Sequence, residues 1–175
     1  MRAFIALELP EEFANQTAQL ARALQPHVQG RFMKCDTYHL TLAFLGEIGE
    51  AEVSSAMAAL DAIASCPAVP LRVKGLGTFK ARKDKTLYLA LEKSPQSQQL
   101  ANMLRDELSA RNVSFDGKKF LPHVTLARRS KMADAILDGL PFPTPTTATC
   151  VTLFKSTLSP EGATYKPLYS VELAG

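Results

Sequence analysis

Two stretches of this chain share a phrase. "YHLTLAFLG" occupies residues 38–46 and "PHVTLARR" residues 122–129. The sequence has 3 histidines, and two of them, His39 and His123, open the same pattern, His-x-Thr-Leu. In a strand, residues two apart share a face and lie about 6–7 Å from one another. His39 then stands beside Thr41, and His123 beside Thr125. Two imidazoles and two hydroxyls converging on one cleft suit displacement at a phosphodiester. One imidazole takes a proton from the attacking oxygen, and the other gives one to the leaving oxygen across phosphorus. An unperturbed pKa near 6.5 serves both tasks. Threonine hydroxyls can donate hydrogen bonds to the non-bridging oxygens. Each pre-aimed donor is worth on the order of 2–4 kcal/mol in the barrier. A single His-x-Thr is ordinary strand sequence, because β-branched Thr favours strands. The doubling lifts it above that.

Other uses of these residue types find less support. Two histidines could hold zinc, with a third ligand from Asp, Glu or Cys. Neither has a His or Cys at a helical i+4, and no HExxH appears, so the spacing does not argue for a metal. No GxSxG elbow and no glycine-rich phosphate loop is present. Nothing marks Cys35, Cys66 or Cys150 as a nucleophile, and no CxxC pair suggests zinc. His27, in "LQPHVQG", lacks the pattern and reads as a surface or loop residue without a catalytic role.

The elements that must position the motifs follow from periodicity. Strands are expected at 2–9, 38–46, 69–79, 85–93, 119–129, 148–158 and 166–173. Helices are expected at 10–24, opened by Pro and two acids, at 50–65, at 94–112, opened by Ser-Pro, and at 131–140. "PFPTPTT" at 141–147 is expected to be a loop. After each His-x-Thr-Leu strand come a helix, a Pro-containing linker and another strand. This degenerate internal repeat suggests two similar lobes, each a small sheet backed by helices, related by an approximate two-fold. No flexible linker separates them, so residues 1–175 are read as one domain. Paired lobes would bring one histidine to each side of a substrate.

At 175 residues, 46% hydrophobic and 21% charged, the chain has the composition of a soluble globular protein rather than a disordered one. A net charge of +3 permits an anionic partner without demanding one. The odd cysteine number suits reduced thiols in a cytoplasmic setting. The short apolar start, followed at once by acids, reads as neither a membrane span nor a secretory signal.

The doubled motif, with "RAFIALELP", "HLTLAFLGE", "LGTF", "PHVTLAR" and "LFKSTLSPEGATYKPL", resembles the 2H phosphoesterase superfamily, defined by two H-x-T/S-x (HXTX) motifs. The similarity runs along nearly the whole chain. It is greatest to the branch called RNA 2′,3′-cyclic phosphodiesterase, also known as 2′-5′ RNA ligase. The resemblance implies an α/β fold of the α+β type: bilobal, with two pseudo-symmetric antiparallel-rich sheets backed by helices around a central cleft. It implies hydrolysis of a terminal RNA 2′,3′-cyclic phosphate to a 2′-phosphate, with neither metal nor other cofactor. By residue, His39 becomes the proton donor and His123 the acceptor. Thr41 and Thr125 become phosphate holders, and Arg128 a phosphate contact. Arg128 lies five residues after His123, so a straight strand would face it away. A bend or bulge would bring it to the phosphate, and otherwise it is a solvent-facing arginine.

The expected partner is RNA with a cyclic phosphate end, tRNA fragments included, handled by a cytoplasmic monomer with no membrane association. Reverse 2′-5′ ligation shares the same acid–base pair. Cleavage of 2′-5′ linkages or small cyclic nucleotides, and non-catalytic binding of RNA ends, remain alternatives. Intact His-x-Thr pairs in both motifs favour catalysis. Phe4, Phe44 and Tyr38 are candidates to stack a base or to pack the core. The basic stretch "KARKDK" (80–85) reads either as a track for an RNA backbone or as a solvated turn.

Overall fold

The structure is a computed structural model and describes residues 1–81, 84–132 and 138–175. Its strands and helices follow in the order β1 (Arg2–Glu8), α1 (Glu11–Leu24), β2 (Val28–Phe32), β3 (His39–Glu47), α2 (Glu50–Ile63), β4 (Val69–Leu71) and β5 (Val73–Ala81). After these come β6 (Asp84–Leu91), α3 (Pro95–Ala110), β7 (His123–Met132), β8 (Thr146–Ala148), β9 (Cys150–Ser159) and β10 (Gly162–Glu172). One sheet has the order β10-β9-β1-β3, the other β2-β7-β6-β5, and β4 and β8 form a separate ribbon. These pairings are antiparallel. The fold is the expected mixed α/β one, with two antiparallel sheets and a cleft between them.

The two lobes do resemble one another, but the repeated unit ends on the motif strand instead of starting from it, and the lobes are not continuous halves of the chain. β1, α1 and β3 form one unit, in which the histidine-bearing strand pairs back onto the first strand. β6, α3 and β7 repeat that arrangement. The third strand of each unit comes from the other half. β9, downstream of the second motif, pairs with β1, whereas β5, downstream of the first, pairs with β6. The two crossing connections meet at the β4–β8 ribbon. Each sheet therefore needs both halves of the sequence, and a single buried apolar cluster runs through the molecule.

Local sequence explains most elements. α1 buries Phe13, Thr17, Leu20, Ala21 and Leu24, one face of a 3.6-residue period. The hydroxyl of Ser94 caps α3 by accepting from Ser97 N at 3.0 Å, and Pro95 occupies the first turn. In both motif strands the leucines face inward. Leu40, Leu42, Val124 and Leu126 are buried, while His39, Thr41, His123 and Thr125 are only partly so. Truncating such a leucine to alanine typically costs about 2–5 kcal/mol, so the core clamps the strands that carry the chemistry.

Some expectations need correction. The stretch 69–79 is two strands, β4 and β5, that join different sheets. β2 was not expected, because "VQGRF" is polar and mostly exposed, yet it pairs along β7. The end of the expected loop at 141–147 enters β8, whose partner β4 is distant in sequence. Most of the helix expected at 131–140 lies outside the described residues. Lys131 and Met132 belong to β7, and 138–140 are not helical. The basic stretch 80–85 likewise spans residues outside the description.

Candidate active site

The two motif strands, β3 and β7, lie against one another where the sheets meet. His39, Thr41, His123, Thr125 and Arg128 all line a single cleft of about 800 Å³. The structure thus brings together every residue singled out from the sequence for chemistry. His27 lies apart, exposed at the end of a one-turn 3₁₀ helix (Gln25–His27).

The two histidines have matching surroundings. His39 Nδ1 lies 2.6 Å from the carbonyl oxygen of Thr37, and His123 Nδ1 lies 2.6 Å from that of Leu121. A carbonyl oxygen only accepts, so Nδ1 carries the proton in both rings and Nε2 is the nitrogen left for chemistry. Each ring is also walled by two aromatics. Phe4 and Tyr165 pack on His39 at centroid distances of 4.7 and 5.2 Å. Phe79 and Tyr88 pack on His123 at 5.1 and 5.3 Å. Tyr88 has room because residue 77 is glycine: a Cβ there would lie 2.4 Å from the phenol ring. None of Phe79, Tyr88 and Tyr165 was singled out by sequence reasoning. Their roles depend on sheet order, and only the fragments "LGTF" and "GATY" mark their neighbourhood.

Burial sets the electrostatics. His39 is pushed down from 6.5 to about 4, chiefly by burial and also by the neighbouring His123 and Arg128, against the raising effect of the Thr37 carbonyl. His123 is also lowered, first by burial and then by Arg128, with the Leu121 carbonyl opposing. In the free protein at neutral pH both imidazoles are therefore neutral. A proton donor among them has to acquire its proton when an anion enters.

Arg128 reaches the cleft through a bulge. Tyr88 and Leu87 are adjacent on β6, but their partners on β7 are Thr125 and Ala127. The extra residue puts Leu126 and Ala127 both on the core side and returns residue 128 to the face of His123 and Thr125. The first motif has the same device. Ala6 and Ile5 on β1 pair with Thr41 and Ala43 on β3, and Leu42 and Ala43 are both buried. The carbonyls at the two bulges find equivalent partners. Leu126 O accepts from Met33 N at 2.8 Å. Leu42 O accepts from Nε and Nη2 of Arg105, each at 3.3 Å.

One symmetry-related pair differs in type. The residue five after each histidine is Phe44 in one motif and Arg128 in the other. Phe44 is 48% exposed and lines the cleft; Phe4 also borders the cleft but is only 3% exposed, packed against His39, and Tyr38, 8% exposed, belongs to the core. Among the described residues the cleft is basic, with Arg2, Arg31 and Arg128 against one carboxylate, Asp116, which Lys118 faces at 3.8 Å. A smaller cavity of about 400 Å³ behind His39 has the opposite character, with Glu8, Glu11 and Asp36. Among the described residues, no group of three or more His, Cys, Asp or Glu is arranged to hold a metal ion. No helix among them is long and apolar enough to cross a membrane.

The comparisons with known proteins agree with this geometry. The sequence model of a family described as LigT like Phosphoesterase matches residues 7–88 and 89–165, and each segment holds one His-x-Thr motif. The chain is 32% identical to the RNA 2′,3′-cyclic phosphodiesterase of Thermotoga maritima, over all of this chain and 97% of that protein. It is 32% identical to the protein of the same name from Escherichia coli, over 77% of this chain and 76% of that one. The crystal structure of E. coli LigT complexed with 3′-AMP superposes with a TM-score of 0.81 at 28% identity, covering 99% of this chain and 98% of that one. With the motif doubled, both copies facing one cleft and the match running through both halves, the chain belongs to the LigT-like phosphoesterases of the 2H superfamily.

Proposed function

We propose that this protein hydrolyses the 2′,3′-cyclic phosphate at an RNA end to a 2′-phosphate, by acid–base catalysis with two histidines. His123 Nε2 takes a proton from the attacking water as its oxygen bonds to phosphorus. The P–O3′ bond breaks, and His39 Nε2 gives its proton to the departing 3′-oxygen. Thr41 and Thr125 donate to the non-bridging oxygens, and Arg128 offsets their charge. The exposed ring of Phe44 offers a face for the terminal base.

The observation that carries this reading is the matched setting of the two imidazoles. Each is tied through Nδ1 to a carbonyl two residues back, which leaves both Nε2 atoms for one cleft. The low pKa of His39 is compatible with a donor role. A phosphodiester anion about 4 Å from the imidazolium is worth about 4 kcal/mol at an effective dielectric of 20, enough to bring a group at about 4 back to near neutrality. The names of the Thermotoga and E. coli relatives support the substrate class. The 3′-AMP complex of the E. coli protein supports a nucleotide in the cleft. The reading takes residues 1–175 as one bilobal domain and the protein as a cytoplasmic monomer, since one chain supplies every group the reaction uses. Ligation to a 2′-5′ linkage would be the same displacement with the 5′-hydroxyl of a second RNA end in place of water.

The test is a short RNA ending in a 2′,3′-cyclic phosphate, incubated with the protein in excess EDTA. A 2′-phosphate product, lost in His39→Ala and in His123→Ala, is expected. A 3′-phosphate product would reverse which oxygen leaves. Binding without turnover would replace catalysis by recognition of RNA ends.

A further inference from the structure

Arg31 and Arg128 stand opposite one another on neighbouring strands, in the register that pairs β2 with β7. Directly opposed residues of an antiparallel pair have Cα atoms about 4.5–5.5 Å apart, and like charges there repel. Neither guanidinium has an ion-pair partner among the described residues. Both line the cleft that holds His39 and His123. Arg2, at the start of β1, lines it too and also lacks an ion-pair partner among the described residues. Arg2 and Arg128 both act on the Tyr165 phenol, opposing the rise that burial gives it.

Three cations kept together against their mutual repulsion mark a place for anions. A cyclic phosphate diester brings one negative charge, which Arg128 already answers. The surplus charge asks for a second anion in the same cleft. The cleft's volume, about 800 Å³, lies in the upper part of the range of pockets that enclose ligands larger than a single phosphate.

Resting on the function proposed above, we propose that Arg31, with Arg2, forms a second phosphate subsite that takes the phosphate on the 5′-oxygen of the terminal nucleoside. In an RNA chain that group is the diester to the preceding nucleotide, and on a mononucleotide it is a 5′-phosphomonoester. Arg31 is held ready for it. Its Nη2 donates to the carbonyl oxygen of Pro160 at 3.1 Å, fixing the side chain against the β9–β10 hairpin. Gly162 on that hairpin leaves space for the guanidinium: a Cβ there would lie 3.2 Å from Nη2. Among the described residues, the other N–H groups of Arg31 have no hydrogen-bond partner and are available to an anion. Ser156 and Ser159, on the same hairpin, line the cleft as further hydrogen-bonding groups.

The test compares three substrates in EDTA at low salt: adenosine 2′,3′-cyclic phosphate, its 5′-phosphorylated form, and the dinucleotide ApA ending in a 2′,3′-cyclic phosphate. The intact protein should show kcat/KM at least tenfold higher for the dinucleotide than for the plain mononucleotide. Arg31→Gln should reduce that preference to within threefold, and Arg31→Lys, which keeps the charge, should retain most of it. The dependence of log kcat/KM on log salt for the dinucleotide should become shallower by about one in Arg31→Gln. An equal gain for the 5′-phosphorylated mononucleotide supports a site for any 5′-phosphate. A gain confined to the dinucleotide supports one for the internucleotide diester. Equal kcat/KM for all three substrates in the intact protein, or equal losses on all three in Arg31→Gln, would overturn the proposal and leave Arg31 as the hairpin's anchor. Turnover of the plain mononucleotide reports on the proposed reaction itself, so failure of one reading is distinguishable from failure of the other.

Discussion

The burial of His39 predicts that acid weakens this fold. In the folded protein burial holds the imidazole at about 4, against 6.5 in an exposed chain. Above pH 6.5 the ring is neutral in both states and contributes no pH dependence. As the pH falls from 6.5 to 4, the unfolded chain takes up a proton that the folded protein refuses, so stability falls. Below 4 both states are protonated and the loss is complete. At 1.36 kcal/mol for each pH unit the whole effect is about 3 kcal/mol, a large share of the 5–15 kcal/mol typical of a domain. Urea denaturation of the intact protein and of His39→Asn, across pH 7 to 4, isolates it. Asn retains a donor for the Thr37 carbonyl but does not titrate. The intact protein should lose about 3 kcal/mol more than the variant over that span. Saturating inorganic phosphate should recover much of the difference, because a bound anion favours the imidazolium. Curves that run parallel from pH 7 to 4 would refute the burial argument and, with it, the need for an anion to charge His39.

Other predictions concern the parts around that ring. Both histidines lie below 6.5 in the free cleft. The limbs of the kcat/KM profile should therefore fall below pH 6.5, and those of kcat higher, because the bound diester raises both groups; a kcat/KM profile centred above pH 7 would contradict this. Thr41→Val and Thr125→Val should each lower kcat about 10²–10³-fold by removing a donor to the developing charge, with little change in the urea midpoint. Gly77→Ala should displace the Tyr88 ring that packs on His123, costing about 1–3 kcal/mol by overpacking together with a fall in kcat, measured by denaturation and single-turnover kinetics. Arg105→Met should leave the Leu42 carbonyl without its guanidinium partner, costing about 1–3 kcal/mol and lowering activity through the strand that carries His39.

Much of this site was legible because it depends on a local period. His39 with Thr41, and His123 with Thr125, share a face by strand geometry alone, and the intervening Leu40 and Val124 point to the core for the same reason. Arg128 was half legible. Its odd offset required a bulge, and the repeated Thr-Leu-Ala that makes one in each motif became meaningful only in the register of β1 with β3 and β6 with β7. Limbs near neutral pH are the natural expectation for unperturbed histidines. The aromatic walls that move them come from β1, β5, β6 and β10, and only the sheet order assembles those. Tertiary facts hid the rest. β2 has no apolar alternation to announce it, β8 has a distant partner, and the exchange of β5 and β9 between sheets leaves no mark on local pattern.

The central claim is that His39 and His123 work as one acid–base pair. It is tested most directly by kcat/KM for a 2′,3′-cyclic phosphate substrate in His39→Ala, His123→Ala and the double variant. Groups that act as a unit are non-additive. Each single variant should fall by about 10²–10⁴-fold, and the double variant should be little worse than the poorer single. A single variant within about tenfold of the intact protein, or losses that multiply in the double variant, would contradict the account.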